Sequence, residues 1–218
     1  MTASPAAKAR ALAAEGDFEG ALRLLEGTPL DAAGACLRVG LRRRLGQEAL
    51  AERELDALLG EQPAHARANH LKGIGLLEAG RPAEAEPWLT RAEQGYGPGQ
   101  EEERSELQTD LGNLHLERGD TVKAILAWRQ ALALAPANEF ARRNLEQFDD
   151  PRFEEAATVN EMIQKAAHPA QVLAHLMRHK EFKTPAEAED FANEILSLWN
   201  RTPRRELGGK TPAEASQP

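Results

Sequence analysis

Between Thr109 and Pro136 the chain runs TDLGNLHLERGDTVKAILAWRQALALAP. Apolar positions recur at helical spacing on both sides of Gly119-Asp120, which predicts two antiparallel helices joined by a tight turn. Gly112 and Ala124 fall where those helices cross, and only small side chains let the axes approach closely there. Trp128 and Leu132 fill the space beside that contact. Gly119 tolerates the positive φ that a tight reversal often needs. Pro136 stops the second helix.

A single hairpin cannot bury its own apolar face, so copies are expected nearby. Upstream, Gly73, Leu76, Gly80, Ala85, Leu89 and Ala92 reproduce the offsets of Gly112, His115, Gly119, Ala124, Trp128 and Ala131. Pro82 opens the second helix of this copy, where a missing N–H costs little. Ala85 and Ala124 are 39 residues apart, and the glycine-rich acidic stretch 95–104 reads as a loop or an extra turn on the next helix. Ala51 lies 34 residues before Ala85, with Leu55, Leu58 and Pro63 following at the expected offsets. Val39 replaces the small crossing residue of that copy, with Gly40 beside it. A first, degenerate unit spans Ala9 to Pro29 around Gly16-Asp17 and Ala21. It lies 30 residues before the next copy, so its second helix or the following loop is short. The stretch 139–148 reads as a solvated capping helix, which an array needs at its end.

Leu111, Gly112, His115, Gly119, Ala124, Trp128, Ala131 and Pro136 sit at the spacings of the tetratricopeptide repeat, and the chain resembles that family over residues 9–148. The resemblance implies an all-α array of helical hairpins, an α-solenoid with a right-handed superhelix and a concave groove. It implies a scaffold that binds a peptide or helix of another protein in that groove. The matching inner positions include Arg10, Cys36, Arg67, His70, Glu106, Thr109, Asn113 and Arg143. Family members that clamp a C-terminal carboxylate use lysines and asparagines there. No lysine pair is present here, which argues against that clamp. Arg38, Arg42, Arg43 and Arg44 lie within two turns of one helix. They either line one end of the groove and meet acidic side chains, or form a solvated face balanced by Glu48, Glu52 and Glu54. The groove candidates are therefore Arg42, Arg43, Arg67, His70, Thr109, Asn113 and Arg143.

The repeat pattern ends near Pro151. Three more helices are expected, at 153–167, 169–179 and 185–199. Thr184-Pro185-Ala186-Glu187 gives the last one a capping start signal. The organisation read from sequence is 1–148 repeats, 149–200 a small C-terminal helical module, and 201–218 a tail containing proline and glycine. Within that tail, Thr211-Pro212-Ala213-Glu214 repeats the capping signature. Strings similar to this tail end several bacterial proteins, and a related one closes many integrase-type transposase domains. No acidic catalytic domain precedes it here. Either the tail folds back on the C-terminal helices or it docks a partner.

Composition narrows the function. Only 5% of the 218 residues are aromatic, which suits small-residue helix packing. The net charge of −8 makes nucleic acid a poor partner. Cys36 is the one cysteine, which fits a reducing compartment. No signal peptide and no membrane-length apolar run is visible, so a cytoplasmic location is expected. His175 and His179 are one helical turn apart but lack the glutamate of H-E-x-x-H, so a metal module is the remotest reading. No phosphate loop and no nucleophile elbow occurs. The expectation is a scaffold without enzymatic activity, cofactor or metal. Its main alternative is a structural subunit that self-associates through its repeats or its C-terminal module.

Overall fold

A computed structural model describes residues 4–178 and 180–216. The fold is all-α, built from helical hairpins in series, as expected from the sequence, with no strand among the described residues. Four hairpins come first: α1 (Pro5–Ala14) with α2 (Phe18–Leu25), α3 (Ala32–Arg44) with α4 (Glu48–Glu61), α5 (Ala66–Glu78) with α6 (Pro82–Gly95), and α7 (Glu101–Glu117) with α8 (Thr121–Leu134). Then come α9 (Glu139–Glu146), α10 (Val159–Lys165), α11 (Pro169–Arg178), α12 (Pro185–Arg201) and the short α13 (Pro212–Ala215).

One device turns all four hairpins. Gly16, Gly46, Gly80 and Gly119 adopt φ of 87°, 70°, 68° and 80°. The residue after each glycine donates its N–H to a carbonyl five positions back, as in Gln47 to Arg42 (2.8 Å) and Asp120 to His115 (2.8 Å). This left-handed closure satisfies carbonyls that the helix end would otherwise orphan. The irregular spacings also have local causes. The first copy is short because α2 holds only eight residues. The insertion before the fourth hairpin is mostly helix, since α7 starts at Glu101 and runs for 17 residues.

The crossing glycines have specific partners. A Cβ on Gly73 would lie 2.4 Å from Leu89 Cδ2, and one on Gly112 would lie 2.3 Å from Trp128 Nε1. Each glycine thus admits the large side chain 16 positions later in the facing helix.

The chain divides into two compact units, residues 1–107 and 108–218, with the boundary inside α7. In the first unit, α2 packs on α3 and α4 on α5, while the first helices α1, α3 and α5 pack in series. In the second unit, α8 serves two cores. Ala124, Trp128 and Ala131 pack with Ala141 of α9. Ile125 joins Phe153, Ile163, Leu173, Met177, Ile195 and Trp199. The core of this unit therefore runs across position 148, where the sequence pattern changes.

The first C-terminal helix starts later than the pattern 153–167 predicts. Pro151–Phe153 form a 3-10 turn capped by Asp150, and α10 begins only at Val159. Thr158 Oγ1 accepts the Glu161 N–H (3.2 Å), and Glu161 accepts the Ala157 N–H (2.7 Å). That side-chain pair fixes the helix start.

The tail folds back on α10 and α12. Arg204 is 3% exposed, its guanidinium lies 4.1 Å from the centroid of the Trp199 ring, and its Nη2 donates to the Ala166 carbonyl. Gly208 and Gly209 close a small loop in which Arg204 N donates to Lys210 O (3.0 Å). Thr211 and Glu214 form a full capping box at α13.

Candidate protein-interaction surfaces

The arginines of α3 are held by acids of α4. Glu54 accepts from Arg38 Nε and Arg42 Nε, both at 3.1 Å. Arg43 donates to Glu52 (2.6 Å) and to the Leu71 carbonyl of α5 (2.7 Å). Gly75 makes room for this, since a Cβ there would lie 2.5 Å from Arg43 Nη2. Lys72 of α5 closes the ladder on Glu52 (2.7 Å) and Asp56 (2.8 Å). Burial opposes the charge on Glu52, but the hydrogen bonds from Lys72 and Arg43 outweigh it and hold its carboxyl below the ordinary range. Arg42 and Arg43 thus spend their donors on joining α3, α4 and α5, with side chains only 12% and 10% exposed.

Arg67 and His70 belong to a polar cluster at the end of the first unit. Arg67 pairs with Glu106, and Tyr96 Oη lies 3.2 Å from Nδ1 of the fully buried His70. Burial pushes the Tyr96 hydroxyl up to about 12. Cys36 is buried, with Sγ 3.9 Å from His65 Nδ1, and burial pushes its thiol up to about 11. It therefore stays a neutral thiol at physiological pH.

Thr109 and Asn113 receive the capping helix. Asn138, the N-cap of α9, donates to Thr109 Oγ1 (2.9 Å), and Asn144 donates to Asn113 Oδ1 (2.8 Å). Trp128 Nε1 donates to the Thr109 carbonyl (3.2 Å) and to Asn113 Oδ1 (3.3 Å). A peptide would have to displace α9 to reach these atoms. Arg143, on α9, is exposed.

His175 is buried edge-on to Phe153, with ring centroids 5.5 Å apart. His179 lies outside the described residues. Among the described residues no three His, Cys, Asp or Glu side chains gather at a point that could hold a metal ion. Nor is any described helix long and apolar enough to cross a membrane.

Sequence reasoning missed a groove in the second unit. It lies between α8, the connection 180–184 and the first half of α12, with Arg129, Lys180, Phe182 and Ala188 among its lining residues. The run Lys180-Glu181-Phe182-Lys183, basic around an aromatic, is the only local signal that marked it.

No family model matches the chain, and no curated sequence matches it. Similar solved structures are of MamA. One MamA mutant is 17% identical over 88% of this chain and 95% of that one, with a TM-score of 0.49. MamA from Desulfovibrio magneticus RS-1 is 20% identical over 91% of this chain and 98% of that one, with a TM-score of 0.45.

Proposed function

We propose that this chain is a protein-interaction scaffold that holds a peptide or helical segment of another protein against the face formed by α1, α3 and α5. Gly40 is the observation that carries this reading. It sits inside α3 with an ordinary helical φ, and a Cβ there would meet nothing within 4 Å. Glycine in a helix interior costs about 1 kcal/mol relative to alanine. Neither a turn nor an internal neighbour accounts for that cost here. A segment approaching the α3 backbone from outside does account for it.

The test uses a photo-crosslinking amino acid at position 40 in native cells. Position 60 serves as the control, since that glycine also has open surroundings but lies in the last turn of α4, where glycine interrupts little helix. A distinct protein should crosslink at 40 and not at 60. No product at 40, or the same products at both positions, would sink the proposal. Separately, Gly40→Ala should stabilise the isolated protein by about 0.5–1 kcal/mol in thermal unfolding.

Self-association has one observation of its own. Phe140 on α9 is 72% exposed. If copies pair through that helix, Phe140→Asp should shift sedimentation toward the monomer and leave the fold unchanged. Identical sedimentation of the two forms would remove this reading.

A further inference from the structure

The groove of the second unit encloses about 1160 Å³. Its lining mixes polar side chains with an apolar strip from Val122 and Leu126 of α8, Phe182 of the connection, and Ala188 and Ala192 of α12. It is lined by α8, the C-terminal helices, and Gln108 and His115 of α7, and no residue of α1, α3 or α5 lines it.

Its charges are unusual for this chain. Arg38, Arg42, Arg43, Arg67 and Arg204 each hold a carboxylate. Arg129 is also half-buried, yet it has no carboxylate partner among the described residues. Its Nη1 and Nη2 donate only to the carbonyls of Arg178 (3.4 Å) and Lys180 (2.9 Å). Burial pushes its guanidinium below the ordinary value, and no neighbouring acid opposes that. The chain carries 35 acidic and 27 basic residues, yet none of its acids reaches Arg129 among the described residues.

The rim continues the pattern. Lys180 extends over the rings of Phe191 (4.8 Å) and Phe182 (5.8 Å), with no carboxylate partner among the described residues. Lys183 also lines the groove, as does the start of α12 at Thr184-Pro185, where the helix dipole is positive. Arg178 and Lys123 are matched by acids, Arg178 by Asp149 and Glu154 and Lys123 by Asp120. The acids left on the rim are Glu181 and Glu189. Arg129, Lys180 and Lys183 thus outnumber Glu181 and Glu189 by one, beside the apolar strip. A guanidinium whose donors partly serve carbonyls can still accept a carboxylate on its open edge.

We infer that this groove is a docking site for an acidic amphipathic segment of a partner protein, whose apolar side chains lie against Leu126, Phe182 and Ala188 while a carboxylate meets Arg129. A segment laid between two helices in this way matches the helix-in-groove mode of recognition.

The experiment selects a random short-peptide phage library on the intact chain. Recovered peptides are then measured by fluorescence polarisation. They should share Asp or Glu beside leucine or aromatic residues, and their affinity should fall as salt rises. Arg129→Met should weaken them about thirtyfold or more. Ala188→Glu, which fills the floor with a like charge, should abolish binding. Lys180→Glu, at an exposed position, should weaken it several-fold, and it keeps the test valid if Arg129→Met fails to fold. Binding should be indifferent to Gly40→Ala, which separates this site from the first-helix face. The inference is overturned if nothing is enriched, or if the enriched peptides lack carboxylates. It is equally overturned if affinity ignores Lys180→Glu and Ala188→Glu. Self-association that Ala188→Glu abolishes would also overturn it, because the occupant would then be a second copy.

Discussion

Trp128→Ala is expected to destabilise the second unit by about 3–5 kcal/mol, the range for removing a large aromatic from a packed core. The side chain is fully buried, and Gly112 is left without a Cβ to admit it. The cost has two parts. One is the cavity between α7, α8 and Phe148, whose ring centroid lies 6.0 Å from that of Trp128. The other is polar, since the indole N–H serves the Thr109 carbonyl and Asn113 Oδ1. Those same two residues anchor Asn138 and Asn144, so α9 should loosen along with the cavity. Urea unfolding gives the total. Amide hydrogen exchange gives its location, with α8 and α9 losing protection and α1 to α4 unchanged. Trp128→Phe retains most of the volume and should lose closer to 1–2 kcal/mol. A loss below about 1 kcal/mol for the alanine variant would mean that the hairpin closes by other means. Gly112→Ala errs in the opposite direction, overpacking the same contact at about 1–3 kcal/mol.

The hairpin was legible in the sequence for a local reason, although the spacing set Gly112 against Ala124 and the structure sets it against Trp128. Gly112, Gly119 and Trp128 lie within one hairpin, so their spacing along the chain fixes their positions in space. The same holds for Gly73, Gly80 and Leu89. The start of α10 was written locally too, in Thr158-x-x-Glu161, but the apolar positions around Phe153 hid it. What could not be read was which distant element lands on a given face. Thr109 and Asn113 occupy inner offsets, and their spacing says nothing of the two asparagines that α9 brings to them. Arg42 and Arg43 look available on α3 until α4 supplies Glu54 and Glu52. Arg129 reads as an ordinary polar helix position. Its lack of a counter-charge becomes visible only when Arg178 and Lys180 bring carbonyls, and no acid, to its guanidinium.

Arg204→Ala is expected to release the tail at a local cost of about 2–4 kcal/mol. Among the described residues after Arg201, Arg204 is the one that is buried, so the fold-back depends on it. Its stacking on Trp199 contributes about 0.5–2 kcal/mol and its charged hydrogen bond to the Ala166 carbonyl about 1.5–3 kcal/mol. The ion pair with Glu206 adds little, because that carboxylate is 59% exposed. Nε has no partner among the described residues, a burial cost that offsets part of the gain. Arg204→Lys should rescue poorly. One ammonium cannot lie flat on the indole and also reach the carbonyl as a planar fork does. Because the tail can detach without unfolding α10 to α12, global unfolding should move less than local opening. Limited trypsin digestion reads the difference. Cleavage after Arg205 and Lys210 should accelerate by about 30- to 900-fold in Arg204→Ala, in proportion to the population of the open form. An unchanged cleavage rate would show that the tail is held by its capping box and loop alone, and that the buried arginine is not its anchor.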